Sequence, residues 1–227
     1  MNRQRRQQVV QHGNAGGDVR FAASSDVDPR ARAALSGRSH GEGAYPVGRC
    51  QASTRSICAP SARIKVGGRG ETNVATGLPV LDHLLATLAV YASFDLTLDV
   101  EPGSAELEIT AAARSLGEAL HEPLRADGAR GHGSAVVPAD EALAHVALEA
   151  SGRPLLVSNV DLSQARIAGL AGDLAARFLE ELAQTAGLTL HVRLVEGKDT
   201  QHVLEAIFKA LGVALAQACR PRRRKDE

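Results

Sequence analysis

Hydrophobic residues recur with a regular period from about residue 63 to residue 218, and the first part of the pattern predicts a helix followed by a strand. In "LPVLDHLLATLAVYA", Leu81, Leu84, Leu85 and Leu88 share one stripe of a helix, and Pro79 suits its first turn. In "FDLTLDV" apolar and polar residues alternate, as in a strand with one buried face. Before the helix, "RIKV" and "ETNVATG" are predicted to pair as a hairpin around "GGRG".

The segments that follow repeat this order of strands and helices. "AELEIT" alternates like a strand, and "AAARSLGEAL" predicts a short helix. "SAVVP", "EALAHVALEA" and "RPLLVSNVD" predict three strands, and "GDLAARFLEELAQTAG" predicts a helix that ends at Gly187. "LTLHVRLV" then predicts a strand and "TQHVLEAIFKALGVALAQA" a long helix. The pattern favours an α+β fold made of two similar units, each a β-sheet with helices on one face.

The same pattern divides the chain. Residues 1–61 are rich in Arg, Ser, Gly and Ala without a hydrophobic period, and are predicted to form a disordered or non-native extension. Residues 62–127 are predicted to be the first α+β repeat and residues 128–219 the second. Residues 220–227 read as a short basic tail in solvent.

Composition excludes several classes of partner. Lys and Arg number 26 and so do Asp and Glu, so the net charge gives no indication of nucleic acid or of an acidic membrane surface. The 3 cysteines are too few for a disulfide framework. The sequence predicts no apolar run that approaches the roughly 18 residues of a membrane span, and no secretory signal is recognisable. These features predict a cytoplasmic protein without a nucleic-acid or membrane partner.

The last predicted helix carries three reactive side chains on one face. His202, Glu205 and Lys209 are spaced i, i+3, i+7 and lie opposite the apolar stripe. An imidazole and a carboxylate at this spacing can hold one divalent ion, and the ammonium one turn further on can neutralise a phosphate. The same spacing also describes an ordinary solvated face with a Glu–Lys pair, so the helix alone leaves both interpretations open.

Two more histidines extend this set. His191 lies on the polar side of the strand that precedes the last helix, and His83 lies near the start of the first predicted helix, beside Asp82. Taken alone, His83 is a common kind of polar helix residue. The other histidines have no comparable spacing and are interpreted as structural or surface residues: His12, His40, His121, His132 and His145.

From Thr76 to Ala218 the chain resembles the imidazoleglycerol-phosphate dehydratase family of histidine biosynthesis. The matching pieces, in order, are "TGLPVLDHLL", "YASFDLTLDV", "VPADEALAHVALEASGRP" and "GLTLHVRLVEGKDTQHVLEAIFKAL". The resemblance implies a duplicated fold of the ribosomal-protein-S5-domain-2-like type and a homo-oligomer of typically 24 chains with active sites between subunits. It implies two Mn²⁺ ions that bind the imidazole ring of an imidazole phosphate substrate, and a carboxylate that moves the proton during dehydration.

Carried over residue by residue, the resemblance makes His83 and His191 metal ligands. The family's second His-His-x-x-Glu motif becomes "QHVLE", in which His202 and Glu205 stay as ligands and Glu205 is also the catalytic carboxylate. Arg153 and Lys209 match positions that face phosphate and substrate. These assignments rest on the resemblance.

The chain departs from the family pattern in its first half. No counterpart of the family's Asp-His-His-Thr-Val-Glu-Asp motif follows "FDLT", Gly131 stands where an arginine is expected, and "RPRRRKDE" replaces a Ser-Lys-Gly loop. About half of the expected ligands remain, so at most one weakened site is predicted, with His202 and Glu205 joined by His83 or His191. Impaired dehydration is the first expectation. The alternative is a catalytically silent paralog that serves as a structural or regulatory subunit and co-assembles with a complete paralog.

Overall fold

The structure is a computed structural model and describes residues 61–161, 166–167 and 170–222. The predicted N-terminal extension, apart from its last residue, and most of the basic tail lie outside these ranges. The first half comprises β1 (Ser61–Val66), β2 (Thr72–Ala75), α1 (Pro79–Ala92), β3 (Phe94–Asp99) and α2 (Ala105–Arg125). The second half comprises β4 (His132–Ala139), β5 (Ala142–Glu149), β6 (Leu155–Ser158), β7 (Arg166–Ile167), β8 (Leu170–Ala171), α3 (Gly172–Ala186), β9 (Thr189–Glu196) and α4 (Thr200–Cys219).

The two larger sheets share one arrangement. In the first, β3 lies in the centre, antiparallel to β1 and parallel to β2. In the second, β9 is antiparallel to β5 and parallel to β6, and β4 extends the sheet beyond β5. Helices α1 and α4 pack together, as do α2 and α3, and they cover the inner faces of the sheets. The predicted α+β class, two mixed sheets each with helices on one face, is confirmed.

The predicted hairpin of β1 and β2 is wrong, because both strands pair with β3. The Gly-rich turn between them passes over Asp95 of β3 instead. One oxygen of Asp95 accepts hydrogen bonds from the backbone N–H groups of Arg69 (2.7 Å) and Glu71 (3.2 Å). These bonds lower the pKa of Asp95, those from the backbone contributing most. A carboxylate on the central strand therefore holds the turn that separates the two outer strands.

The predicted strand "AELEIT" is also wrong, since these residues form the first turns of α2. Ser104 caps the helix by accepting a hydrogen bond from the Leu107 N–H (3.4 Å), and Glu106 and Glu108 place negative charge in the first turn. The apparent alternation of Leu107 and Ile109 does not mark one buried face. Ile109 is buried, whereas Leu107 is 67% exposed.

The core is formed by the inner faces of the sheets and the stripes of the helices that cover them. Phe94, Leu96 and Leu98 are buried from the first sheet, and Leu190 and Val192 from the second. Burial of each such side chain contributes about 1.5–3 kcal/mol. On α1 the four leucines of the predicted stripe are buried, which confirms that prediction.

α4 corrects one expectation drawn from composition. It is long and apolar enough to cross a membrane by length and composition. Most of it is buried inside the protein, however, where Leu204, Phe208, Leu211 and Leu215 pack in the core. A central helix of a folded domain meets the same criteria, so its apolar composition is explained by burial against the sheet and α1.

Candidate functional site

The reactive face of α4 begins at a well-formed helix cap. Asp199 accepts hydrogen bonds through one carboxylate oxygen from the N–H groups of Gln201 (2.8 Å) and His202 (3.3 Å). The cap fixes where the helix begins and therefore which side chains lie outside its apolar stripe. His202, Glu205 and Lys209 are only partly buried and lie opposite the core stripe, as the sequence predicts.

Glu205 lies at the centre of an ionic group between α1 and α4. Its Oε1 lies 3.6 Å from His83 Nε2 and accepts a hydrogen bond from the Gln201 amide (3.2 Å). Its Oε2 lies 3.6 Å from Lys209 Nζ. The Lys209 ammonium is also 5.8 Å from the centre of the Tyr91 ring, a cation–π distance. We call His83, Gln201, Glu205 and Lys209 the Glu205 cluster.

The Glu205 cluster is sheltered because α1 lies alongside α4. The side chains of Glu205 and Lys209 are only 17% and 19% exposed, whereas that of His83 is 62% exposed. Loss of either partner of the Glu205–Lys209 ion pair is therefore expected to destabilise the protein more than loss of one partner of an exposed surface pair. The structure thus brings together three of the predicted site residues, His83, Glu205 and Lys209.

His202 points to a different neighbour. Its Nδ1 lies 2.6 Å from Glu141 Oε2, and its Nε2 lies 3.4 Å from Asp140 Oδ2. Glu141 Oε1 accepts a hydrogen bond from the backbone N–H of Asp199 (3.0 Å). We call Asp140, Glu141, Asp199 and His202 the His202 cluster; it joins the β4–β5 turn to the start of α4.

These contacts shift two pKa values. The Asp199 N–H, and after it the bond from His202, lower the pKa of Glu141 to about 2. The hydrogen bond to Glu141 raises the pKa of His202. Sequence reasoning missed Asp140 and Glu141, although "PADEALA" places two acids at a strand-to-strand turn.

His191 and Arg153 lie apart from both clusters. His191 is on the exposed face of β9, beside Ala147 of β5 and Val157 of β6 in register, while Leu190 and Val192 face the core. Its side chain therefore points away from the helices. Arg153 is exposed just before β6, next to the start of β9, whereas His202 lies near the end of β9. One chain alone does not bring these two residues to His202 or Glu205.

The donor atoms fit a divalent ion in kind but not in number. Imidazole nitrogen and carboxylate oxygen suit Mn²⁺ or Zn²⁺, and His83 with Glu205 offers one of each. At His202 the two carboxylates meet opposite ring nitrogens, so they cannot share one ion with that ring. Among the residues that the structure describes, no group of three His, Cys, Asp or Glu side chains could hold a metal ion. One chain supplies only part of a coordination sphere.

The first half has matching positions for this face. A Cβ added at Gly117 of α2 would lie 2.7 Å from Thr185 Cβ near the end of α3, and one at Gly212 of α4 would lie 2.4 Å from Leu88 O on α1. Each sheet's last helix thus crosses its neighbour at a glycine. The N-caps, Ser104 and Asp199, stand the same distance before these glycines.

Counted from the caps, the first half carries no equivalent donors. Leu107 stands in the place of His202 and Thr110 in the place of Glu205. Arg114 corresponds to Lys209 and forms an ion pair with Glu181 of α3 (3.1 Å). Arg177 of α3 stands as far before Gly187 as His83 of α1 stands before Ser93, the left-handed residues that follow these two helices, and it forms an ion pair with Glu106. The α2–α3 face therefore carries ion pairs and an exposed leucine where the α1–α4 face carries imidazoles and a half-buried carboxylate.

Comparison with known proteins agrees with this architecture. A model of the family described as imidazoleglycerol-phosphate dehydratase matches residues 76–215. The chain belongs to the imidazoleglycerol-phosphate dehydratase family. The enzyme of Pelobacter propionicus is 37% identical over 162 residues, which are 69% of this chain and 83% of that protein. The enzyme of Syntrophobacter fumaroxidans is 40% identical over 164 residues, which are 70% of this chain and 83% of that protein.

Solved structures of imidazoleglycerol-phosphate dehydratases have the same fold. That of the Staphylococcus aureus enzyme superposes with a TM-score of 0.68 at 27% identity, covering 74% of this chain and 97% of that one. That of the Pyrococcus furiosus enzyme superposes with a TM-score of 0.65 at 28% identity, covering 76% and 96%. The predicted family resemblance is confirmed, with the family model matching residues 76–215.

Proposed function

We propose that this chain is an imidazoleglycerol-phosphate dehydratase-like lyase of histidine biosynthesis whose dehydration of imidazole glycerol phosphate is impaired. Family membership supports the substrate and the reaction class. The single observation that supports impairment is the composition of the α2–α3 face, where Leu107 and Thr110 replace the kind of donors found at His202 and Glu205. A reaction that relies on two ions loses much of its electrostatic stabilisation when one ligand set is gone.

The residues of this chain would take the following roles. Glu205, held between His83 and Lys209, is positioned to carry a proton to or from a bound imidazole phosphate. One chain does not bring His83, His202 and Glu205 around one ion, so a single divalent ion would need donors from more than one subunit, with His191 as a further donor. Mn²⁺ is the proposed ion; when bound, it would polarise the imidazole ring.

The position of Arg153 and His191 supports a site shared between subunits. Both are exposed and lie away from His202 and Glu205 within one chain. Lys209 is already neutralised by Glu205, so a substrate phosphate would gain most from an exposed arginine such as Arg153. We therefore propose a homo-oligomer, of the family's 24-chain kind, in the cytoplasm.

The second candidate is a silent subunit that assembles with a complete paralog. Its support is that both halves contribute buried side chains to the core, while the α2–α3 face carries ion pairs and an exposed leucine in place of imidazoles. Such a chain would fold and assemble without carrying out the reaction.

Turnover of imidazole glycerol phosphate tests the proposal. With saturating Mn²⁺, kcat/KM is expected to be lower than that of the Pelobacter propionicus enzyme by about a thousandfold, because several kcal/mol of stabilisation are lost and each 1.4 kcal/mol is about tenfold. Equal rates would overturn impairment. Activity that appears only when a complete paralog is mixed in, and that exceeds the paralog's own, would favour the silent subunit.

A further inference from the structure

We propose that Glu141 is a positioning residue that, together with Asp199, fixes the tautomer of His202, with Nδ1 protonated and Nε2 presenting the free lone pair. The inference deepens the proposed function, since it says which nitrogen His202 would offer to an ion or substrate. It rests on the geometry of the β4–β5 turn, and it can be tested without a metal.

The turn is built to bring Glu141 to α4. Strands β4 and β5 are in register up to Ala139 and Ala142, so Asp140 and Glu141 alone form the loop. Asp140 has φ 47°, a left-handed conformation that costs a non-glycine residue on the order of 1 kcal/mol and that Asp tolerates better than most. The Glu141 side chain, next along the turn, reaches the start of α4.

The connection from β9 approaches the turn closely. A Cβ added at Gly197 would lie 2.8 Å from the Ala142 Cβ and 2.9 Å from Val203 Cγ2, so only glycine fits between the hairpin and the helix. The close approach lets the Asp199 N–H donate to Glu141 Oε1. One carboxylate oxygen is thereby committed to the backbone, and the other faces the His202 ring.

The two contacts of the ring are unequal. The Nδ1 to Glu141 distance, 2.6 Å, is that of a short charge-assisted hydrogen bond, whereas the Nε2 to Asp140 distance, 3.4 Å, is beyond the usual range. A carboxylate only accepts hydrogen bonds, so Nδ1 must carry a proton. When the ring is neutral, the remaining lone pair is on Nε2. In metal sites, a histidine ligand commonly donates its other ring N–H to a carboxylate, which fixes the orientation of the ring in this way.

The closing experiment is ¹⁵N NMR of the full chain with ¹⁵N-labelled histidine, recorded without metal at about pH 9, above the usual imidazole pKa. His202→Asn assigns the signals. The wild type is expected to show protonated Nδ1 and unprotonated Nε2 at His202. In Glu141→Gln the amide keeps its oxygen on the Asp199 N–H and turns its NH₂ to the ring, so the tautomer is expected to reverse.

Asp140→Asn is the matched control, because Asn also tolerates a left-handed backbone and the contact it changes is the long one. It is expected to leave the tautomer as in the wild type. A wild-type ring protonated on Nε2, or a tautomer unchanged by Glu141→Gln in a protein of wild-type Tm, would overturn the proposal. If Glu141→Gln does not fold, the wild-type spectrum decides alone.

A Mn²⁺ titration of the same proteins tests the proposed function separately. If the wild type binds, Glu141→Gln is expected to weaken Mn²⁺ by about 10–100-fold, as loss of such a supporting carboxylate does in other sites. Equal Mn²⁺ affinity of wild type and variant would count against a positioning role. A wild type that binds no Mn²⁺ would refute the metal role of His202, and the NMR result would still decide the role of Glu141.

Discussion

The α1–α4 face and the α2–α3 face share a backbone plan and differ in chemistry. Both consist of a capped helix that crosses its neighbour at a glycine, beside a mixed sheet with the same strand pairing. On the first face, His83, Glu205 and Lys209 form a sheltered ionic cluster. On the second, Arg177 and Arg114 form ion pairs at equivalent positions. The same helix packing thus carries different polar side chains on the two faces.

The largest expected effect concerns the two crossing glycines. Gly212→Ala places a methyl group 2.4 Å from the backbone oxygen of Leu88, which cannot move without shifting α1. Gly117→Ala meets the Thr185 Cβ at 2.7 Å and the Ala186 backbone nitrogen at 3.1 Å, so the clash is less severe than at Gly212. We expect Gly212→Ala to lower the free energy of unfolding by about 3 kcal/mol and Gly117→Ala by about 1–2 kcal/mol. Chemical denaturation measures both, and an equal or reversed order would contradict the assigned geometry.

The next effect separates sheltered from exposed charges. Glu205→Ala leaves the Lys209 ammonium without its carboxylate at a position that is 19% exposed, so a loss of about 1–3 kcal/mol is expected. Arg114→Ala removes an ion pair whose arginine is 60% exposed, and a loss of about 0.5 kcal/mol is expected.

Thermal and denaturant unfolding of the two variants checks this difference. Adding Lys209→Ala to Glu205→Ala is expected to recover part of the lost stability, because no unpaired ammonium is left. If Lys209→Ala lowers the free energy of unfolding as much in the Glu205→Ala background as in the wild type, Glu205 and Lys209 are not coupled as described.

The fold class and the polar face of α4 could be predicted from the sequence. The residues that contact His202 could not. The spacing of hydrophobic residues in α1, β3, β9 and α4 predicts the fold class and the polar face of α4. It can do so because the hydrophobicity of each residue largely decides whether that position is buried. Asp140 and Glu141 were missed, since their approach to His202 depends on a hairpin and a connection that meet only in the folded chain. "AELEIT" was misread because its alternation, over six residues, also fits the start of a capped helix.

A smaller effect concerns acid stability in the first half. The folded-state pKa of Asp95 lies below its ordinary value of 3.8, owing first to the Arg69 and Glu71 N–H groups. Its contribution to stability is therefore present above the unfolded pKa and is lost as pH falls through the folded pKa. Asp95→Asn is expected to flatten the decline of Tm below about pH 4. An Asp95→Asn protein that keeps the wild-type slope would contradict this assignment.

The smallest expected effect concerns the exposed ion pair between Glu106 and Arg177, the residue at the position equivalent to His83. Arg177 and Glu106 are 46% and 61% exposed, so Arg177→Ala is expected to cost only about 0.2 kcal/mol, and salt is expected to reduce this loss further. Denaturation at low and high ionic strength measures it. A loss of several kcal/mol that is insensitive to salt would show that this pair stabilises the fold more than an exposed ion pair does.

Manganese stoichiometry tests most directly the proposal that only the α1–α4 face carries metal ligands. Elemental analysis after equilibrium dialysis of the full chain against Mn²⁺ is expected to give at most one ion per chain, and none in a His202→Ala, Glu205→Ala variant. Two tightly bound ions per chain, or an ion count unchanged in that variant, would contradict the account.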